Sequence, residues 1–115
     1  MKNIYWKMDE SGNVQPATMA EGMEYFGNAS KKIIARDTIN GVLISTVFLV
    51  IDHSFDESQP ILFETMLFKS DGEGFDPDSN VQMRYVSIQD ARAGHAKAIE
   101  FVQTYFPQAQ IEREA

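Results

Sequence analysis

Five side chains in this sequence carry the chemistry of acid–base hydrolysis: Asp52, His53, Glu64, Arg84 and His95. An imidazole exchanges a proton near neutral pH, a carboxylate holds or accepts one, and a guanidinium steadies developing negative charge. An enzyme built here would use His53, Glu64, His95 and Arg84. Their spacing gives no signature of such an enzyme. His53 and His95 lie 42 residues apart, without the HExxH spacing that sets two zinc ligands on one helix face. No GxSxG elbow, phosphate-binding loop, GxGxxG turn or EF-hand loop occurs. The stretch "DGEGFDPDSN" offers oxygen ligands but not the calcium-loop pattern, and reads as an acidic hairpin loop. No metal and no cofactor are expected.

The elements that must position these groups follow from periodicity. "NIYWKM" (3–8) reads as a short strand and "DESGN" (9–13) as a turn. "ATMAEGMEYFGN" reads as a helix, with Thr18 and Glu21 at capping-box spacing. Met19, Met23 and Phe26 make an apolar stripe, assigned to the core. Gly27 or Asn28 is the candidate left-handed C-terminal residue. From Lys32 the period becomes two. "KIIARDTI" (32–39) is a strand, Asn40-Gly41 a type I′ hairpin turn, and "VLISTVFLVID" (42–52) the antiparallel return. Two more strands are expected at 61–69 and 81–87. A second helix runs from Ile88 to Tyr105, capped by Ser87 with Asp90 and ended by Pro107. Residues 106–115 form a tail.

The expected fold is therefore α+β: an antiparallel four-stranded meander, with a possible extra N-terminal strand, packed by an N-terminal and a C-terminal helix. All 115 residues make one domain. Residues 1–30 form the N-terminal strand and helix, 32–87 the sheet and 88–105 the last helix. The strand 42–52 is apolar on both faces, so both need cover. The last helix takes one face; the first helix, or the second subunit of a homodimer, takes the other.

Within this frame each candidate has two readings. Gly94 and His95 fall on the apolar stripe of the last helix. The glycine then permits close packing, and His95 is either a hydrogen-bonded core residue or a base or metal ligand. Glu64 and Arg84 face each other if their strands pair in register, as a structural ion pair more readily than a catalytic one. Asp52 and His53, adjacent on a strand, point to opposite faces and form no automatic dyad. The hydroxyls of Thr46 and Thr65 can bond across the ladder.

Composition bounds the rest. With 43% apolar residues and no cysteine, the chain folds without disulfides or thiolate chemistry. The longest apolar run, 47–51, is far too short to span a membrane, no secretory signal is visible, and the cytoplasm is the expected compartment. A net charge of −7 disfavours direct binding to nucleic acid or anionic lipid. It suits an acidic face that docks on a basic protein surface, including one built to hold nucleic acid. The candidate binding residues are Asp52, His53, Asp56, Glu57, Asp71, Glu73, Asp76 and Asp78.

"ARDTINGVLISTVFLVIDHSF", "PILFETMLF" and "MRYVSIQDARAGHAKAIEFV" together resemble a family of small uncharacterised proteins found in bacteriophage and prophage genomes and in bacteria. The matching residues are Arg36, Ser45, Thr46, Asp52, His53, Phe63, Glu64, Thr65, Met66, Arg84, Tyr85, Gly94 and His95. The chain departs where that family commonly has a glycine ahead of the Asp-His; it has Val50-Ile51 there. The resemblance supplies context and no mechanism. It implies a small phage-type interaction protein, for instance an anti-CRISPR-like inhibitor of a host defence complex. The alternatives are a small enzyme or ligand-binding domain using His53, Glu64 and His95, and a structural homodimer.

Overall fold

The computed structural model describes residues 3–54, 59–69 and 83–105. Two short strands, β1 (Trp6–Met8) and β2 (Val14–Pro16), pair antiparallel ahead of helix α1 (Met19–Phe26). A 3-10 turn, Ala29–Lys32, leads into β3 (Ile33–Ile39), β4 (Val42–Phe48), β5 (Phe63–Lys69) and β6 (Met83–Tyr85). Helix α2 (Ile88–Tyr105) closes the chain. The four later strands form one antiparallel sheet in the order β3-β4-β5-β6, the expected α+β meander between two helices. No described helix is long and apolar enough to cross a membrane.

The turn that starts the meander is dictated locally. Asn40 and Gly41 take φ of +52° and +82°, the pair of positive values a type I′ turn demands. That turn fixes the register: Val42 pairs with Ile39, and alternate residues of β4 then face inward. Val42, Ile44, Thr46 and Phe48 are buried, whereas Leu43, Ser45 and Val47 are half-buried. Helix α2 lies across the inner face, burying Ile88, Ala91, Gly94, His95, Ala98 and Val102. Its start is held as expected, the Asp90 N–H donating to Ser87 Oγ at 3.1 Å.

Several expectations need correction. The N-terminal strand begins at Trp6 rather than 3, and β2 was not anticipated. β4, β5 and β6 depart from the expected bounds: β4 stops at Phe48 rather than 52, β5 starts at Phe63 rather than 61, and β6 ends at Tyr85 rather than 87. For β4 the cause is Val50, fully buried with φ of +73°. There the chain leaves β5 and turns toward β1. Leu49 N–H still donates to Leu62, but the Val50 carbonyl accepts from Trp6 N–H, and Tyr5 bridges Ile51. A left-handed backbone is where glycine is normally favoured.

Helix α1 starts as read, with the full Thr18–Glu21 capping box, but ends differently. Gly27 has φ of −83° and Asn28 of −144°, so neither is left-handed. Its apolar stripe is not core: Met19, Met23 and Phe26 are 61, 51 and 46% exposed. The buried residue is Gly22, which rests on the Tyr5 ring so closely that a Cβ would come within 2.7 Å of it. Tyr25 reaches inward, its ring 5.3 Å from that of Phe48. The helix thus packs through its smallest residue, and it adds to the inner core instead of covering the outer face of the sheet.

Candidate functional site

The core is split in two. One apolar cluster gathers Phe48, Val50, Leu62, Phe63, Ile88 and Ala91; the other gathers Val42, Ile44, Leu67, Ala98 and Val102. Between them runs a row of polar side chains, one from each strand of the sheet and one from α2. Asp37 Oδ2 lies 2.7 Å from His95 Nε2, and His95 Nδ1 lies 2.7 Å from Thr46 Oγ1. Thr46 Oγ1 lies 2.6 Å from Thr65 Oγ1, which accepts from the Tyr85 hydroxyl at 3.2 Å. Alternation puts all of them on the inner face. Thr46 pairs with Thr65 across the ladder, and Asp37 pairs with inward-facing Ile44.

The electrostatics of this belt follow from its hydrogens. The two threonines are fully buried and His95 nearly so, while the Asp37 carboxylate is half-exposed. Buried hydroxyls and imidazole nitrogens are costly unless bonded. Here each is bonded, and among the described residues no buried side-chain nitrogen or oxygen lacks a partner. Gly94 makes room for the far end: a Cβ there would sit 2.0 Å from the Tyr85 hydroxyl. The expectation that this glycine permits close packing is met. What it admits is a tyrosine edge.

Carboxylate, imidazole and hydroxyl in sequence form the constellation of an activated nucleophile. The Thr46 hydroxyl, however, has no exposed surface and touches Thr65 on its other side. A nucleophile must meet a substrate, and this one is sealed between two apolar clusters.

Glu64 and Arg84 do form the cross-strand pair. They are register partners, with Arg84 Nε donating to Glu64 Oε2 at 2.9 Å. Because Glu64 follows the parity of Val47, the pair lies on the outer face, opposite to His95. Asp52 binds main chain: its Oδ1 accepts from the N–H groups of Ser54 and Ile61, at 2.8 and 3.0 Å. These bonds clip the two ends of the segment joining β4 to β5. Its neighbour His53 lies beyond β4, and its main-chain N–H donates to the Ile61 carbonyl. The sequence candidates are thereby dispersed: His95 on the inner face of the sheet, the buried Glu64 with Arg84 on the outer face, and Asp52 and His53 at a strand exit. Asp56, Glu57, Asp71, Glu73, Asp76 and Asp78 lie outside the described residues.

Two members of the belt escaped sequence reasoning as site residues. Tyr85 entered only through its motif, and Asp37 not at all. Parity could have found Asp37, since it shares the face of Ile39 and so faces α2.

Elsewhere, an open cleft of about 480 Å³ is lined by Met8, Asp9, Glu10, Tyr25 and Lys31. Its polar groups are partly committed: the Tyr25 hydroxyl bonds Met8 main chain, and Asp9 accepts from Ser11 and Asn13. The Asn13 N–H, above all, holds the Asp9 carboxyl below the usual range. Next to this cleft Lys7 bonds Glu21 at 2.7 Å and keeps the Glu21 carboxyl low, with help from the Thr18 N–H. No group of three or more His, Asp or Glu side chains able to hold a metal occurs among the described residues.

No family model, no curated protein and no solved structure matches this chain.

Proposed function

We propose that the protein is a small phage-type interaction domain without catalysis, which docks on a basic protein surface of a host complex; an anti-CRISPR-like inhibitor is its concrete form. The observation that carries this reading is the stripe of Met19, Met23 and Phe26, exposed beside a well-packed core. A capped helix offering flexible thioethers and an aromatic ring to solvent is a surface for protein contact. The net charge of −7 supports a basic partner, and the resemblance to phage-borne proteins supports a host target. The candidate acid–base groups are set apart in the described residues, His95 on the inner face of the sheet, Glu64 with Arg84 on the outer face, and Asp52 and His53 beyond the end of β4.

The test is affinity capture from host lysate with the wild-type chain and a Met23→Glu, Phe26→Glu variant. The wild type should retain one complex, release it as salt rises and compete with nucleic acid for it; the variant should not retain it. Recovery of nothing, with unchanged phage plating when the gene is deleted, sinks the proposal.

A structural homodimer is the second reading, and one observation favours it. Leu43, Val47, Met66 and Phe68 share the outer sheet face and belong to neither apolar cluster. Light scattering on the eluting species decides it: a monomer at high concentration removes this reading.

A further inference from the structure

The Asp37–His95–Thr46–Thr65–Tyr85 belt has a property that its role in packing does not require. It contains four links. With neutral His95 it also contains four hydrogens to fill them: three hydroxyl hydrogens and one N–H. The Asp37 carboxylate can only accept, so Nε2 carries the imidazole hydrogen. Tyr85 donates to Thr65, Thr65 to Thr46, and Thr46 to Nδ1. Every donor then points from β6 toward β3.

A fifth hydrogen upsets this order. Protonated His95 donates from Nδ1 as well, so Thr46 must accept there and donate to Thr65. Thr65, now receiving from Thr46, can place its own hydrogen only on the Tyr85 oxygen. Tyr85, half-buried on the edge strand, must then turn its hydrogen out of the belt. We propose that the belt is a pH-responsive relay with two hydrogen-bond polarities, in which protonation of His95 reverses all three hydroxyls and turns the Tyr85 hydrogen outward.

The balance is simple. Water supplies one proton to the Tyr85 oxygen, each hydroxyl passes its own hydrogen one place along, and an N–H bond forms at Nδ1. No bond between heavy atoms changes. The groups facing His95 are the Asp37 carboxylate on β3 and, beyond the threonines of β4 and β5, the Tyr85 phenol on β6. On α2 itself Arg92, Lys97 and Glu100 are exposed, and Glu64 with Arg84 lies on the opposite face. The Asp37 carboxylate balances the new charge, while the Tyr85 end carries the signal. The belt touches all four strands, from the half-exposed Asp37 carboxylate at one edge of the sheet to the half-buried Tyr85 at the other.

Long-range proton–nitrogen spectra of the imidazole test this directly, in a His53→Gln background that leaves a single ring. The titration runs from about pH 8 to about pH 4.5, across the ordinary imidazole range. The alkaline form should be the Nε2–H tautomer. On acidification the His95, Thr65 hydroxyl and Tyr85 ring signals should move with one midpoint. Tyr85→Phe removes the acceptor that the reversed polarity needs, two links away from the ring. It should lower the His95 midpoint, because both polarities lose one link but only the reversed one leaves the buried Thr65 hydrogen without an acceptor. Thr65→Val should act in the same direction and serves if the phenylalanine variant does not fold. An Nδ1–H tautomer in alkali, or a midpoint untouched by both substitutions, overturns the proposal.

Discussion

Replacing Gly94 by alanine sets two physical effects against each other. In an exposed helix the substitution stabilises by about 1 kcal/mol. Here the new Cβ would lie 2.0, 2.3 and 2.4 Å from three atoms of the Tyr85 side chain. No real Cβ tolerates such distances, so either α2 lifts from the sheet or the tyrosine swings away. Overpacking of this kind costs about 1 to 3 kcal/mol. A swung Tyr85 also gives up its bond to Thr65, worth about 1 kcal/mol. Clash and lost bond outweigh the propensity gain, and the net destabilisation is about 1 to 3 kcal/mol. Urea unfolding followed by circular dichroism reads this as an earlier midpoint at unchanged slope. Calorimetry should show a Tm lower by roughly 4 °C per kcal/mol for a domain of this size. A variant as stable as wild type, or more so, would refute the claim that the tyrosine edge sits on the helix backbone.

Thr65→Val alone leaves the Thr46 and Tyr85 hydroxyls short of a partner and should cost about 1 to 3 kcal/mol, whereas Thr46→Val with Thr65→Val should cost less than the sum of the two singles, read by a double-mutant cycle in urea. Val50→Gly relieves a left-handed backbone worth about 1 to 2 kcal/mol but surrenders a fully buried side chain worth about 1.5 to 3 and adds chain entropy of about 0.5 to 1. The variant should therefore be less stable by about 1 kcal/mol; a marked gain in Tm would show that strain dominates there. The Glu21 carboxyl is lower in the folded state than its ordinary value of 4.5. Its contribution is thus present above that value and lost as pH falls through the depressed one. Acid should loosen the Lys7–Glu21 link and the start of α1 before the sheet, visible in the amide signals of Thr18 and Glu21. Lys7→Met should remove most of that early transition.

Local rules made much of this fold legible. Asn40-Gly41 and the Thr18–Glu21 box act within a few residues, and both formed as their chemistry requires. Helix α2 has the predicted span, because its cap and apolar spacing agree. The Glu64–Arg84 pair was read from strand order on condition of register, and the register meets it. What failed depended on distant partners. The stripe of α1 reads inward by its helical spacing, yet the contact is made by Gly22 against Tyr5, which lies just ahead of β1. Val50 reads as strand by type, and only the competing bond from Trp6 explains its turn. The acid–base list suggested one site because composition carries no face. Register divided it, with odd and even positions of β4 and β5 leading to different sides.

That division explains why ionisable and hydroxyl groups interrupt strands that are otherwise apolar. Because β4 is apolar on both faces, a slip of one residue against β5 would cost it little hydrophobic burial. Hydrophobic pattern alone therefore leaves the register poorly specified. The polar groups supply the discrimination. A one-residue slip would carry Glu64 inward between the apolar clusters, away from Arg84, and would carry Thr65 outward, breaking the belt. An unpaired buried carboxylate and orphaned buried hydroxyls each cost more than the bonds they replace. The inner Thr46–Thr65 row and the outer Glu64–Arg84 pair sit on successive residues of β5, so they penalise the same slip from both faces. Such residues look catalytic in a sequence, because catalysis and register both require polar groups that accept only one geometry.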